Sequence, residues 1–80
     1  MNIPYVSSVK TKYKGAILCV VTSASEPQDG FFGCLWHAYD ENAKVISYGF
    51  SKGRGGTGSG SMLTAMANAR RAARRYGSKP

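Results

Sequence analysis

The feature that most constrains the fold is an apolar stripe in the last quarter of the chain. Small and apolar residues recur there at intervals of three and four, the spacing that places side chains on one face of an α-helix. The pattern predicts an amphipathic helix over residues 61–76, capped by Ser59 or Ser61 and stopped at Gly77. Because most of the stripe is alanine, we expect the helix to lie close on a second layer. The stripe consists of Met62, Ala65, Met66, Ala69, Ala72, Ala73 and Tyr76.

Three stretches before the helix have the apolar runs, β-branched residues and aromatic residues that are typical of strands. We expect strands over 14–22, 31–39 and 44–50, and an extension of the first strand back through Val9 fits the alternation. Pro27 and Asp29-Gly30 mark a loop, and 40–43 form a tight turn. The predicted fold class is therefore α+β, a three-stranded antiparallel sheet with one C-terminal amphipathic helix packed on one face (β-β-β-α).

The length of the chain favours a single small domain over residues 1–80, since 80 residues bury too little surface for a second core. The ends, 1–8 and 77–80, are candidates for fraying, and the Gly-rich stretch 53–60 is predicted to be a flexible loop. The longest apolar run, 16–21, has six residues, far fewer than the roughly 20 that span a bilayer. Without a secretory signal at the start, we expect a cytoplasmic protein that has no membrane partner.

Symmetric hairpins predict which side chains share a face of the sheet. In that register Cys19 faces Cys34, and Trp36 faces Ser47. One face would then receive the helix and bury both cysteines as thiols. This face consists of Ile17, Cys19, Val21, Phe32, Cys34, Trp36, Ala38, Val45 and Gly49. The other face is also apolar, which predicts that it meets a partner. It consists of Ala16, Leu18, Val20, Phe31, Leu35, His37, Tyr39, Ile46, Tyr48 and Phe50.

The charges are segregated along the chain. Eleven Lys and Arg against four Asp and Glu give a net charge of +7, and from Asn42 onward there are eight basic residues and no acidic one. Such a patch favours a polyanion as partner, because binding releases the counterions condensed on phosphates. Solubility alone is the plainer interpretation, although surfaces selected for solubility usually mix both signs.

Patterns that would indicate an enzyme or a metal site are incomplete. The stretch 55–62 resembles a phosphate-binding loop, but Ser61 and Met62 stand where a Walker motif needs Lys and Ser or Thr. Cys34 and His37 are three apart on a strand and so point to opposite faces. The four carboxylates occupy turns, where such residues are common. We therefore expect a non-enzymatic protein with no cofactor and no metal.

The order of elements and the basic helix resemble known nucleic-acid-binding folds. Thr57-Gly58-Ser59-Gly60-Ser61 and the alanines that follow are similar to the pattern G-x-G-x-S-K-K-x-A of double-stranded RNA-binding domains, with Met62 and Leu63 in place of the two lysines. Tyr13-Lys14-Gly15 and Tyr48-Gly49-Phe50 are similar in place to residues of three-stranded-sheet DNA-binding domains, such as those of plant ethylene-response factors and integrase amino-terminal arms. These resemblances imply a β-β-β-α topology and RNA or DNA binding. In size and layout the chain is also similar to small phage proteins that block host defence complexes.

The leading hypothesis is a small basic protein that grips the phosphate backbone of DNA or RNA without much sequence reading. The predicted contacts are Arg70, Arg71, Arg74 and Arg75 of the helix with Lys52 and Arg54. The alternative is an inhibitor or adaptor that docks on an acidic protein surface, for example a phage protein that blocks a host nuclease or CRISPR-type complex. The open sheet face is predicted to stack bases or to form a homodimer. The candidates there are Phe31, His37, Tyr39, Tyr48 and Phe50.

Overall fold

The protein is described by a computed structural model that covers residues 4–23, 31–54 and 59–79. One four-stranded antiparallel sheet, in the order β1-β2-β3-β4, carries one helix. The elements are β1 (Tyr5–Lys10), β2 (Ala16–Ser23), β3 (Phe31–Tyr39), β4 (Val45–Arg54) and α1 (Ser59–Gly77). Residues 24–30 of the first predicted loop lie outside the described residues. Of the predicted Gly-rich loop 53–60, residues 53–54 belong instead to the end of β4 and 59–60 to the start of α1, and 55–58 lie outside the described residues. Within the described chain, the helix is too polar to cross a membrane.

The predicted three-stranded sheet is wrong, because the chain forms a fourth strand at its beginning. β1 pairs antiparallel with β2, so that Val9 lies opposite Ile17 and Lys10 opposite Ala16. The reversal between them depends on Gly15, whose φ of 71° is a left-handed conformation that glycine adopts without strain. The alternation from Val9 to Tyr13 therefore belongs to the end of β1 and a turn, and not to an extension of the next strand.

The observed register differs from the symmetric one, but most side chains lie on the side of the sheet that was predicted for them. Cys19 lies opposite Ala38 rather than Cys34, and Trp36 lies opposite Gly49 rather than Ser47. These displacements are four and two residues. Because side chains alternate with period two, an even displacement keeps every side chain on its face.

A β-bulge exchanges two residues between the faces. Ala38 pairs with Ser47 and the next residue, Tyr39, pairs with Val45, so β4 contains one extra residue here. As a result Ile46 packs against the core, and Val45 is 44% exposed. The expectation placed these two side chains the other way round, since a regular ladder has no extra residue.

The core lies between the sheet and α1. The alanine stripe is confirmed, because its central residues are buried against the inner face and the rest are partly buried. Both cysteine thiols are buried there as well, as expected. The buried apolar residues are Val9, Ile17, Cys19, Val21, Cys34, Trp36, Ala38, Ala65, Met66, Ala69 and Ala73.

Two glycines allow close contacts that a side chain would block. Gly49 of β4 lies under the indole of Trp36, where a Cβ atom would be 2.5 Å from the ring. At the end of α1, Gly77 packs against Thr11, and Tyr13 donates a backbone hydrogen bond of 3.1 Å to the Gly77 carbonyl. The end of the helix is thereby fastened to the β1–β2 hairpin.

Candidate nucleic-acid interface

Basic side chains from two elements meet in an open cleft of about 170 Å³ where the β1–β2 hairpin meets the end of α1. Lys10 and Lys12 come from the hairpin and Arg74 from the helix, and all three are exposed. We call these three residues the cleft cations. The rest of the lining is Thr11, Gly77 and Ser78, so among the described residues no carboxylate lines the cleft.

Hydrogen bonds of Thr11 hold the hairpin side of the cleft. Its Oγ1 donates to the Gly15 carbonyl at 2.6 Å and accepts from the backbone N–H of Lys14 at 3.2 Å. Its own N–H donates to the same Gly15 carbonyl at 3.1 Å. A turn closed by three hydrogen bonds presents the lysines on either side of Thr11 from a defined backbone.

The helix side of the cleft is capped without help from the arginines. The last carbonyls of a helix lack partners within it. Here the N–H of Ser78 donates to the Arg74 carbonyl, and its hydroxyl donates to the Arg75 carbonyl, both at 3.0 Å. The Tyr76 and Gly77 carbonyls accept from Lys79 and Tyr13. The nearby guanidinium groups are therefore not needed for capping.

The four helix arginines do not form one uniform surface. Arg71, Arg74 and Arg75 are exposed. Arg70 is half-buried, and its Nε donates to Oγ of Ser7 in β1 at 3.1 Å. One arginine of the predicted set therefore anchors the helix to the sheet, and the other three remain directed to solvent.

The charges of Arg70 and Arg74 also affect a buried thiol. Burial raises the pKa of the Cys19 thiol above its ordinary value of 9.0, while the positive charges of Arg70 and Arg74 oppose that rise. Lysines of the hairpin lie near aromatic rings, with Nζ of Lys14 5.6 Å from the Tyr76 ring centre.

The basic end of the molecule also contains carboxylates. Asp40 is engaged in its own turn, where Oδ1 accepts from the N–H groups of Asn42 and Lys44 at 2.9 and 3.0 Å. The carboxylate of Glu41 lies near Gly15, 3.2 Å from where a Cβ atom would stand. Among the described side chains, neither carboxylate pairs with a cleft cation. The segregation of charge seen along the chain is therefore incomplete in space.

The predicted contribution of Lys52 and Arg54 is not brought to this cleft. Their backbone lies at the far end of β4, where Arg54 pairs with Phe31. Nine residues separate Arg54 from Val45 at the cleft end, or roughly 30 Å along a strand. Their side chains are outside the described part of the structure. The sequence analysis did not single out Lys10 and Lys12 as candidates, although the spacing Lys-x-Lys-x-Lys from residue 10 to 14 was a signal of a basic hairpin.

The aromatic candidates lie together on the sheet face away from α1. Tyr48 is 75% exposed and Phe50 52%. His37 and Tyr39 are half-buried and stack on each other, with ring centres 6.0 Å apart and 26° between planes. The backbone of Phe31 is in β3, but its side chain is outside the described part. Of the cleft cations, Arg74 belongs to α1 on the other side of the sheet, whereas Lys10 pairs with Ala16 at the margin of this face.

Two other kinds of site can be compared with the described part of the chain, namely a Cys34–His37 pair and a metal site. Cys34 is buried on the inner face and His37 lies on the outer face, so they do not share a site. No group of three His, Cys, Asp or Glu residues that could hold a metal ion occurs among the described residues.

Compared with known proteins, the chain matches no family model, no curated protein and no solved structure.

Proposed function

We propose that the protein binds the phosphate backbone of nucleic acid at the cleft between the β1–β2 hairpin and the end of α1. The observation that carries the proposal is the meeting of Lys10, Lys12 and Arg74 in one open cleft, to which the described part of the chain contributes no carboxylate. Arg71 and Arg75, exposed on the same end of the helix, extend the basic surface.

The chemistry of the cleft suits phosphate. Its cations attract phosphate oxygens, while the hydroxyls of Thr11 and Ser78 already donate to backbone carbonyls and hold the walls of the cleft in place. A guanidinium can bind two oxygens of one phosphate, which favours Arg74 as the central contact. Such contacts position a nucleic acid and carry no base information. We therefore expect binding with little sequence preference.

The salt dependence of binding tests the proposal. Fluorescent duplex DNA, duplex RNA and single strands would be titrated with the protein by anisotropy between about 50 and 200 mM salt. If the cleft cations act with Arg71 and Arg75, about five contacts give a log–log slope on the order of −4 to −5 on duplex DNA. The double variant Lys12→Gln, Arg74→Gln should bind more weakly and make the slope shallower by about two.

A matched control is Lys44→Gln. Lys44 is also exposed and its loss removes one charge, but it lies in the turn between β3 and β4 and does not line the cleft. We expect it to leave the slope nearly unchanged. A slope that falls equally for Lys44→Gln and for Lys12→Gln alone would mean that total charge, and not the cleft, governs binding. Weak binding to every nucleic acid would instead favour an acidic protein surface as the partner.

A further inference from the structure

The outer face of the sheet is an apolar surface that α1 does not cover. Three rows of side chains run across the strands on this face. Six of its apolar side chains are between 43% and 75% exposed: Val6, Leu18, Leu35, Val45, Tyr48 and Phe50. In order along the strands, the rows are Ser8, Leu18, Tyr39 and Val45; then Val6, Val20, His37 and Tyr48 in the middle; then Thr22, Leu35 and Phe50.

We propose that this face binds the same face of a second copy of the chain, so that the protein is a homodimer of two stacked sheets. Within the three rows no side chain is a carboxylate, an ammonium or a guanidinium group. Two chains that each carry a net charge of +7 repel one another. The neutral part of the outer face is the surface on which they can meet, because α1 lies on the other side of the sheet and Lys10, which pairs with Ala16, lies only at the margin of this part.

The size of the face is sufficient for a specific contact. Four strands about 4.8 Å apart and about seven residues long give a surface of roughly 19 by 23 Å on each copy. Two such corrugated surfaces bury on the order of 1,000 Å², close to the smallest area of a specific interface. Sheets that stack face to face in this way lie about 10 Å apart with their inner side chains interdigitated. We therefore expect a dimer that dissociates on dilution.

The composition of the face favours a protein partner over stacked bases. Four of its six most exposed apolar residues are aliphatic, and these have no ring on which a base can stack. His37 and Tyr39 already stack on each other and are half-buried. Single-strand platforms combine aromatic rings with cations that follow the backbone, whereas the three rows contain no cation and Lys10 lies beyond them at the margin of the face. In a dimer with two-fold symmetry, the aliphatic patch of one copy would contact the same patch of the other copy.

Sedimentation equilibrium of the full chain without nucleic acid, from about 1 µM to about 1 mM, tests the proposal. We expect the mass to rise toward twice 8.6 kDa with concentration. Higher salt should leave the dimer unchanged or strengthen it, since salt screens the repulsion between like charges. This response is opposite to that of phosphate binding. A mass of 8.6 kDa throughout this range would overturn the proposal.

A pair of variants places the contact. Tyr48→Lys puts a charge in the middle row, and because both copies carry it, we expect the dimer to weaken by about a hundredfold. Leu63→Lys is the matched control, since Leu63 is 64% exposed on α1, away from the face. Circular dichroism would show that both variants fold. Equal dimerisation of the two would contradict the assignment.

Two further measurements separate self-association from base stacking. Isotope-filtered NOEs between methyl groups of Leu18, Leu35 and Val45 in differently labelled copies are expected and do not require a variant. Single-stranded DNA should bind Tyr48→Lys and Leu63→Lys equally, because each adds one positive charge. Weaker binding by Tyr48→Lys alone, together with a monomeric wild type, would assign the face to bases and reject the dimer.

Discussion

Arg70 of α1 donates a hydrogen bond from Nε to Oγ of Ser7 in β1, across a distance of 3.1 Å. The Ser7 hydroxyl in turn lies 3.0 Å from Sδ of Met66, to which it donates. These two contacts join the helix to the strand at the edge of the sheet. They also explain why a strand with two consecutive serines belongs to the fold, since one serine binds the helix and the other faces away from it.

Loss of the Ser7 hydroxyl should weaken this attachment. We expect Ser7→Ala to lower the free energy of unfolding by about 1–2 kcal/mol, because the half-buried guanidinium of Arg70 loses an acceptor. Urea denaturation monitored by Trp36 fluorescence would measure the change. Ser8→Ala is the matched control, since Ser8 is exposed and makes no contact with α1. Equal effects of the two substitutions would show that the hydrogen bond contributes nothing.

Substitutions in the two hairpin turns should change the stability of the protein in opposite directions. Ala43 has a φ of 60°, a left-handed conformation that is costly for a residue with a Cβ atom. Ala43→Gly should therefore stabilise the protein by about 0.5–1 kcal/mol. Gly15→Ala should destabilise it by about 1 kcal/mol or more, because Gly15 has a φ of 71°. Thermal unfolding of both variants would measure the difference, and shifts of the same sign would contradict the assigned backbone conformations.

Two glycines on opposite faces of the sheet differ in what covers them. A Cβ at Gly49 would overlap the buried indole of Trp36, which has no room to withdraw. We expect Gly49→Ala to cost about 1–3 kcal/mol by overpacking. A Cβ at Gly33 would meet the end of the Phe50 ring, but this ring is 52% exposed and can swing outward.

The contrast between the two glycine variants is the measurement. Chemical denaturation should show a smaller loss of stability for Gly33→Ala than for Gly49→Ala. A two-dimensional NMR spectrum should show the shift changes of Gly33→Ala confined to the outer face. If Gly33→Ala proved the more damaging substitution, Phe50 would be held in place by contacts stronger than its exposure indicates.

The Cys19 thiol predicts a loss of stability at alkaline pH. Burial raises its pKa in the folded protein above 9.0, so the folded state holds the thiol proton more tightly than the unfolded chain. This contribution to stability is complete below pH 9.0 and is lost as the pH rises through the folded pKa. Urea midpoints at a series of pH values would show the decline.

A variant isolates the contribution of this thiol. Cys19→Ala should be less stable at neutral pH because it leaves a small cavity. Its stability should fall less steeply than that of the wild type above pH 9.0. Parallel curves for the two proteins would mean that Cys19 does not titrate differently in the folded and unfolded states.

Local sequence patterns determined the helix, its buried side and the faces of most strand residues. The alanine stripe from Met62 to Tyr76 predicted the helix and its buried side, because helical periodicity is a property of neighbouring residues. The period of two sorted most strand residues onto the correct faces, even though the registers were displaced by four and two residues. Burial of Cys19 and Cys34 followed from that alternation.

Only the tertiary structure decided which distant segments meet. β1 escaped detection because Ser7 and Ser8 interrupt its apolar pattern, and its place depends on pairing with β2 and on the hydrogen bond from Arg70. The bulge beside Tyr39 reversed Val45 and Ile46, which no periodic pattern encodes. The cleft exists because the backbone of Gly77 packs against Thr11 and joins two basic segments more than sixty residues apart. Charge along a chain indicates a polyanion partner, but contacts between remote residues determine where that charge converges.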